Sequence, residues 1–440
     1  MPQATPIKVV EPRQRALLVG VFVDGVTTKG EFEASLDELE ALADTAGAVV
    51  IGRVVQKRRE IDPTFYVGRG KAEQIAEECA RNNIDIVIFD HELSPAQVRN
   101  LEQVVKRRVI DRTELILDIF AKRARTKQAK LQVELARLEY ELPRLRHMWS
   151  HLSRTEGSPG VRGGPGEQQL ELDRRRAYRR VAELQRQLSE INKRTEMRAK
   201  KRSEMFTVTL VGYTNVGKST LMNALTKAGV YVEGRLFATL DATTRVLILK
   251  HGQKALLTDT IGFINKLPPQ LIASFHATLA EVRHADLLLH VADLTHPRME
   301  EQIKVVEQTL IDIGASGKPT IMVLNKADLL PPDVDRDALK RRFENACIVS
   351  ALTGEGLEEL KERVEAEYRK QRQIEIEAIF PLSCGWLIKW VYEHASVLSE
   401  EVSNGILRMS LLIEKPLAMK LSSMCNDGYN GVRLIIKDAS

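Results

Sequence analysis

Residues 212–219 read Gly-Tyr-Thr-Asn-Val-Gly-Lys-Ser, which puts two glycines, a lysine and a hydroxyl at the spacing of a phosphate-gripping loop. The segment sits between an apolar run at 206–211, which predicts a strand, and a helix expected to open at Ser219. In that setting Gly212, Tyr213, Thr214, Asn215, Val216 and Gly217 can turn backbone N–H groups toward phosphate, and the helix N-terminus adds partial positive charge. Lys218 neutralises the β and γ phosphates, and Ser219 is the natural ligand for a magnesium ion.

Base choice comes from further along the chain. Asn325, Lys326, Ala327 and Asp328 follow an apolar run at 320–324. A carboxylate in that place can accept from both N1–H and N2–H₂ of guanine, a donor pair adenine lacks. Asp328 takes this role, Asn325 braces the loops, and Lys326 lays its stem across the base. Ser350, Ala351 and Leu352 supply a backbone N–H, that of Ala351, for the guanine O6. Asp259, Thr260, Ile261 and Gly262 form a further phosphate-facing piece. Rejection of ATP would then rest on the cost of leaving buried polar groups unpaired. Asn-Lys-Ala-Asp alone equally describes a solvated turn. The informative feature is the series, each piece following a predicted strand.

Positioning such a site takes an alternating α/β segment, and the chain has room for more. Its 440 residues suffice for about three domains, with 28% charged and 43% hydrophobic residues. No apolar stretch approaches membrane-spanning length, and the first residues lack the apolar core of a secretory signal, so a cytoplasmic protein is expected. Cys79, Cys347, Cys384 and Cys425 show no paired spacing, and magnesium is the metal the sequence argues for.

We divide the chain into four expected domains. Residues 1–118 alternate strand-like and helical runs, a small α/β domain with a mainly parallel sheet. Within it GRGKAEQI at 68–75 is either a strand-to-helix turn or a weak nucleotide or RNA contact. Residues 119–202 carry two apolar stripes, Leu131, Leu135, Leu138, Leu142 and Leu145, then Ala177, Val181, Leu184, Leu188 and Ile191. They predict an antiparallel helical hairpin, kinked at Pro143, whose Gly/Pro linker at 157–169 is too glycine-rich to be helical and forms an exposed tip. Residues 121–202 hold 22 Lys/Arg against 10 Asp/Glu, a net of +12 in a chain of net +5, so the hairpin is a basic rod suited to a phosphate-rich partner. With no aromatic stacking platform, recognition of folded RNA by shape and backbone is expected, with Gly163, Gly164 and Gly166 allowing close approach, Arg162 pairing with phosphate or stacking on a base, and Arg174 to Arg176 anchoring the base of the loop. Residues 203–370 predict a doubly wound P-loop GTPase domain. Residues 371–440 predict a small C-terminal α+β domain with a helix over 385–398.

These segments together resemble the HflX family of translational GTPases, within the Obg-HflX group. The likeness covers nearly the whole chain: YVGRGKAEQI, LARLEYELPRLRHMWSHL, GPGEQQLELDRRR, LFATLDATTR and DTIGFI. It implies a protein that binds the 50S ribosomal subunit and, with GTP, splits stalled 70S ribosomes, the hairpin meeting ribosomal RNA with its tip toward the peptidyl-transferase centre and GTP hydrolysis allowing release. A monomer is expected. The resemblance also implies a switch segment of Phe237, Ala238, Thr239, Leu240 and Asp241, in which the Thr239 hydroxyl ligates magnesium and its N–H senses the γ-phosphate. The chain departs from the usual pattern at Gln168 after Glu167 and at Ala242 after Asp241, where the family carries threonine and proline. The second change loosens the switch loop without removing a ligand.

For hydrolysis, Lys218, Thr239 and Gly262 form the expected catalytic set, with Asp259 holding magnesium through water and the Gly262 N–H on the γ-phosphate. Phe263 stands where Ras-like enzymes carry a water-orienting glutamine, so intrinsic hydrolysis should be slow; the ring is otherwise a hydrophobic anchor. Asn215 either coordinates a potassium ion, as in the potassium-activated GTPases this loop resembles, or bonds its own backbone. Three function classes stand: a ribosome-splitting GTPase, a GTPase of large-subunit assembly, and a passive GTP-sensing RNA-binding protein.

Overall fold

In the computed structural model the described residues are 13–25, 28–148, 165–202, 205–226, 236–237, 242–249, 253–266, 268, 271, 281–331, 334–343, 346–426 and 432–436. They build three sheets. The first runs β1 (Arg15–Val23), β2 (Val49–Arg58), β3 (Ile86–Phe89) and β4 (Arg108–Asp111), all parallel, in the order β2-β1-β3-β4. Parallel neighbours need crossovers, supplied by α1 (Lys29–Ala46), α2 (Arg69–Arg81) and α3 (Pro95–Val105). α1 begins where Thr28 and Glu31 form a reciprocal capping box and ends at Gly47, whose φ of 93° is one a side chain resists. α3 repeats the device with Ser94 and Gln97 around Pro95.

After β4 the chain enters α4 (Arg112–Arg123), N-capped by Asp111, and then α5 (Lys127–Met148). The expected domain limit at 118 falls inside α4, whose apolar residues Ile116, Ile119 and Phe120 share one core cluster with residues of the first sheet, of α5 and of the strand-forming runs 206–211 and 287–291. α5 continues through Pro143 and pairs with α6 (Pro165–Arg202). Leu131 and Leu135 pack with Leu184 and Leu188, flanked by Leu138, Val181 and Ile191, as the two stripes require. Arg180 clamps the pair through Glu134 at 2.7 and 2.9 Å. The expected non-helical linker is shorter than its glycine content suggested, because α6 starts at Pro165 and Pro165 to Gln169 are helical. Proline suits a first helical position, where its missing N–H would have had no partner in the helix. Residues 149–164, including Arg162, Gly163 and Gly164, lie outside the described residues.

The second sheet contains β5 (Phe206–Gly212), β6 (Thr243–Ile248), β7 (Lys254–Asp259), β8 (Leu287–Asp293), β9 (Thr320–Asn325) and β10 (Ala346–Ile348), in the order β10-β9-β8-β5-β7-β6. Only β6, at the edge, is antiparallel. The helices α7 (Lys218–Thr226), α8 (Met299–Asp312), α9 (Arg336–Arg342) and α10 (Leu357–Arg372) connect or follow these strands, the doubly wound arrangement the sequence predicts.

The third sheet is antiparallel: β11 (Gln373–Pro381), β12 (Ser396–Ser403), β13 (Ile406–Glu414) and β14 (Arg433–Ile436), in the order β12-β13-β11-β14, with α11 (Gly385–His394) and α12 (Lys415–Asn426). The expected helix over 385–398 is corrected here: it ends at His394, and Ser396–Ser403 is a strand. Pairing with β13 overrides the helical continuation that Val397 and Leu398 suggest. No helix among the described residues is long and apolar enough to cross a membrane.

Candidate nucleotide-binding site

Apart from Phe237, the motif residues described here lie at or follow the C-terminal ends of β5, β7, β9 and β10. Gly212 closes β5 with φ 151°, and a Cβ there would lie 2.3 Å from the Val291 carbonyl oxygen of the neighbouring strand. Asn215 follows in the left-handed region at φ 61°, exposed, and Gly217 at φ 93°. A Cβ on Gly217 would meet Asn325 Nδ2 at 2.4 Å. The helix opens at Lys218, one residue before the expected start.

Lys218 is buried and its ammonium donates to the Gly212 and Tyr213 carbonyls at 3.0 and 2.6 Å. Burial pulls its pKa down to about 8, against the opposing charge of Asp259. Next to it Ser219 Oγ donates to Asp259 Oδ2 at 2.6 Å. A hydroxyl and a carboxylate side by side are the hard oxygen donors a magnesium ion prefers, so the residues fit that ion. Thr214 is buried too, and its hydroxyl has no hydrogen-bond partner among the described residues.

The 259–262 segment lies on the phosphate loop. Thr260 Oγ1 donates to the Leu210 carbonyl at 2.7 Å; the Phe263 N–H donates to Gly212 O at 3.1 Å and its carbonyl accepts the Thr214 N–H at 2.8 Å. Phe263 is 2% exposed, so its ring is a core anchor with no access to an attacking water. Ile261 is likewise buried. At Gly262 a Cβ would lie 2.8 Å from Thr214 Cα and 3.1 Å from Lys218 Nζ, close approaches that glycine allows.

Asn325 ties three loops together. Its Nδ2 donates to the Val216 carbonyl at 2.8 Å and its Oδ1 accepts the Ala351 N–H at 3.0 Å. That N–H, which the sequence aims at guanine O6, is therefore engaged with Asn325, and a base oxygen would have to share it. Asp328 Oδ1 accepts from the buried Ser350 hydroxyl at 2.5 Å, and Ser350 Oγ in turn accepts the Thr353 N–H at 3.1 Å. Lys326, at φ 68°, donates to Asp293 Oδ2 at 2.5 Å. Asp293 is itself held by Thr295 through the N–H at 3.0 Å and the hydroxyl at 2.7 Å. Ala327 is buried with its N–H on Val349 O at 3.1 Å, whereas the Leu352 side chain is 79% exposed.

Two parts of the expected set stand apart. Ala238, Thr239, Leu240 and Asp241 lie outside the described residues. Phe237 is described, with its ring buried and its centroid 4.6 Å from that of Phe120 in α4, so the side chain belongs to the core. Residues the motifs did not point to also reach the site: Asp293 through Lys326, and Glu38 of α1, which accepts the Tyr213 hydroxyl. A cavity of about 340 Å³ opens on this α1 side of the phosphate loop, lined by Glu38, Tyr213, Asn215, Arg298 and Gln302 among others.

Residues 33–121 match the family described as GTP-binding GTPase N-terminal, residues 123–202 the GTP-binding GTPase Middle Region, and residues 207–326 the 50S ribosome-binding GTPase. A "GTPase HflX" of Caldanaerobacter subterraneus subsp. tengcongensis is 44% identical over 394 residues, covering 88% of each chain. One of Lacrimispora saccharolytica is 41% identical over 432 residues, 96% of this chain and 99% of its own. Among solved structures, the "crystal structure of SsGBP and GDP complex" is 28% identical, covers 80% of this chain and 98% of its own, and superposes with a TM-score of 0.46.

Proposed function

The chain belongs to the HflX family of GTPases and is a GTP hydrolase of the ribosome-binding type; from that premise we propose that it binds the 50S subunit in the cytoplasm and uses GTP binding to split stalled 70S ribosomes. Hydrolysis would then release it. The observation that carries this reading is the pairing of the phosphate-loop motifs, gathered at the ends of neighbouring strands, with a two-helix arm in a region of net charge +12. Phosphate-rich RNA is the partner such a charge favours.

In the proposed site Asp328 reads N1–H and N2–H₂ of guanine, aimed by Ser350, with Ala327 fixing the turn, Lys326 over the base, Asn325 joining the two base loops and Ala351 N–H sharing with O6. The backbone from Gly212 to Gly217 and the Lys218 ammonium hold the phosphates. Ser219 and Thr239 would hold a magnesium ion, with Asp259 acting through water, and the ion would supply charge neutralisation on the phosphates. Gly262 presents its N–H to the γ-phosphate, and Lys218 stabilises the charge developing on it. Water attacks the γ-phosphorus and GDP leaves. With Phe263 buried, no side chain at that position orients the water, which supports slow turnover until a ribosome orders the switches. Asn215, exposed at φ 61°, suits a potassium ion beside the phosphates.

Sedimentation of 70S ribosomes with the protein and a non-hydrolysable GTP analogue tests the reading. Free 50S and 30S peaks are expected. Binding to free 50S without splitting would move the assignment to large-subunit assembly. Comparing turnover in potassium and in sodium at equal ionic strength tests Asn215; equal rates would remove the cation.

A further inference from the structure

Arg112 opens α4 and belongs to none of the nucleotide motifs, yet it is 2% exposed and charged. Its Nη1 donates to Asp90 Oδ1 at 2.9 Å and to the Ser35 carbonyl at 3.3 Å. Its Nη2 pairs with Glu38 and donates to the Asn265 carbonyl at 3.3 Å. The other Glu38 oxygen accepts the Tyr213 hydroxyl, which accepts the Asn265 N–H at 2.7 Å. The circuit closes: both backbone polar groups of Asn265 are taken, the carbonyl by Arg112 and the N–H by the phosphate-loop tyrosine. Lys266 adds a second anchor, donating to Asp90 Oδ2 at 2.8 Å and to Ser35 Oγ at 3.0 Å. Burial works against the Asp90 charge, and Arg112 and Lys266 overcome it, holding the carboxyl below its ordinary range. The segment leaving Gly262 is thus held to the phosphate loop by side chains of the first α/β unit.

The residue beside Arg112 faces the other way. Asp111 is fully buried and accepts the Glu114 and Leu93 N–H groups at 2.9 and 3.0 Å. It also accepts the Tyr140 hydroxyl and Arg144 Nη2, each at 2.7 Å. Tyr140 and Arg144 lie in α5, the first helix of the basic arm, with the guanidinium 3.7 Å from the tyrosine ring centroid. At the other end of α4, Phe120 touches Phe237.

We propose that Asp111 and Arg112 are a joint between the arm and the GTP site, with Arg112 a positioning residue for hydrolysis: the root of the arm sets α4, and α4 sets the backbone at Asn265 from which Gly262 is placed. Buried charges give the joint its stiffness. Each has its partners only in this arrangement, and leaving one unpaired is strongly unfavourable, so a displaced α5 carries α4 with it rather than being absorbed in between. The coupling rests on the GTPase assignment; its use by a ribosome rests on the function proposed above.

The test uses the full-length protein, with active sites titrated by a fluorescent GDP, and measures GTP turnover without ribosomes. Tyr140→Phe removes one hydroxyl from Asp111, in the arm and away from the nucleotide. It should lower kcat roughly fivefold, the worth of one net hydrogen bond, with KM changed by less than about twofold. Tyr213→Phe opens the Asn265 circuit and should lower kcat similarly. The double variant should be no slower than the slower single one, because both cut the same linkage. General destabilisation would reduce the titrated sites and leave kcat per site alone. Parental kcat in Tyr140→Phe, or a multiplied loss in the double variant, overturns the joint; if Tyr140→Phe is insoluble, Arg144→Gln cuts the same carboxylate and carries the same expectation. Adding 50S subunits separates the two readings. No stimulation of the parent protein would count against the ribosomal function, while the comparison without ribosomes still decides the joint.

Discussion

The Ser350 hydroxyl donates to the Asp328 carboxylate at 2.5 Å, so the acceptor proposed for guanine is aimed from the neighbouring loop before any base arrives. Asp328→Asn exchanges an acceptor for a donor, which should weaken GTP and favour xanthosine triphosphate, whose C2 carries an oxygen. Ser350→Ala leaves the carboxylate in place and removes its orientation, a loss of roughly 1 kcal/mol or about fivefold in GTP affinity. Competition between the two nucleotides checks both. Equal GTP binding by the parent and Asp328→Asn would take the base site away from this loop.

Asn325 is the only side chain among the described residues shown joining Val216 O to the Ala351 N–H. Asn325→Ala would leave both backbone groups buried without that partner, a penalty of about 1–3 kcal/mol. GDP should therefore dissociate at least about tenfold faster, read by fluorescent-nucleotide chase. Gly217→Ala should have a similar effect, since its Cβ would fall 2.4 Å from Asn325 Nδ2 at a φ of 93°. An unchanged off-rate in both variants would show that the two loops are held apart from this amide.

The contrast between Lys218 and Arg112 explains what the sequence could tell. The phosphate loop is legible because its chemistry is local: glycines at a fixed spacing, a lysine and a hydroxyl, next to an apolar strand. Arg112 has partners at Glu38, Asp90 and Asn265, and nothing in the spacing of a lone arginine in RTELILDIF marks them. The arm stripes were legible for the same local reason, as Leu131, Leu135, Leu184 and Leu188 meet in one cluster. Where tertiary pairing decides, local reading failed: Ser396–Ser403 has no Gly or Pro separating it from α11, and becomes a strand by bonding to β13. The Phe237 ring packs in the core beside Phe120, a long-range contact that the local LFATLDATTR pattern does not mark.

His290, on β8 and 2% exposed, predicts an acid-sensitive fold. Burial, helped by the Lys218 charge, pushes its pKa down to about 4. Between that value and the unfolded value of about 6.5 the unfolded chain binds a proton the folded one does not. Stability from this group is complete above the window and falls as pH drops through it, by roughly 1.4 kcal/mol at about pH 5.5. His290→Gln should lose less stability than the parent between pH 7.5 and about 5.5, measured as urea midpoints. Identical losses would mean that this imidazole stays neutral in both states.

A deletion between the two arm helices tests whether nucleotide binding and the proposed ribosome action can be separated. α6 begins at Pro165, so a deletion of residues 158–164 removes Arg162, Gly163 and Gly164 while leaving the helix start and the Leu131, Leu135, Leu184 and Leu188 contact intact. No residue of the nucleotide site is touched, and neither are Tyr140, Arg144 or Asp111. GTP affinity and turnover without ribosomes should therefore match the parent. Splitting of 70S particles should disappear, because the segment proposed to enter the RNA is gone, while salt-sensitive binding through the remaining basic helices should persist. Light scattering of 70S ribosomes on mixing with GTP reads the first, and co-sedimentation at two salt concentrations the second. A deletion variant that splits ribosomes at the parental rate would leave the arm as an anchor and shift the splitting action to another part of the chain.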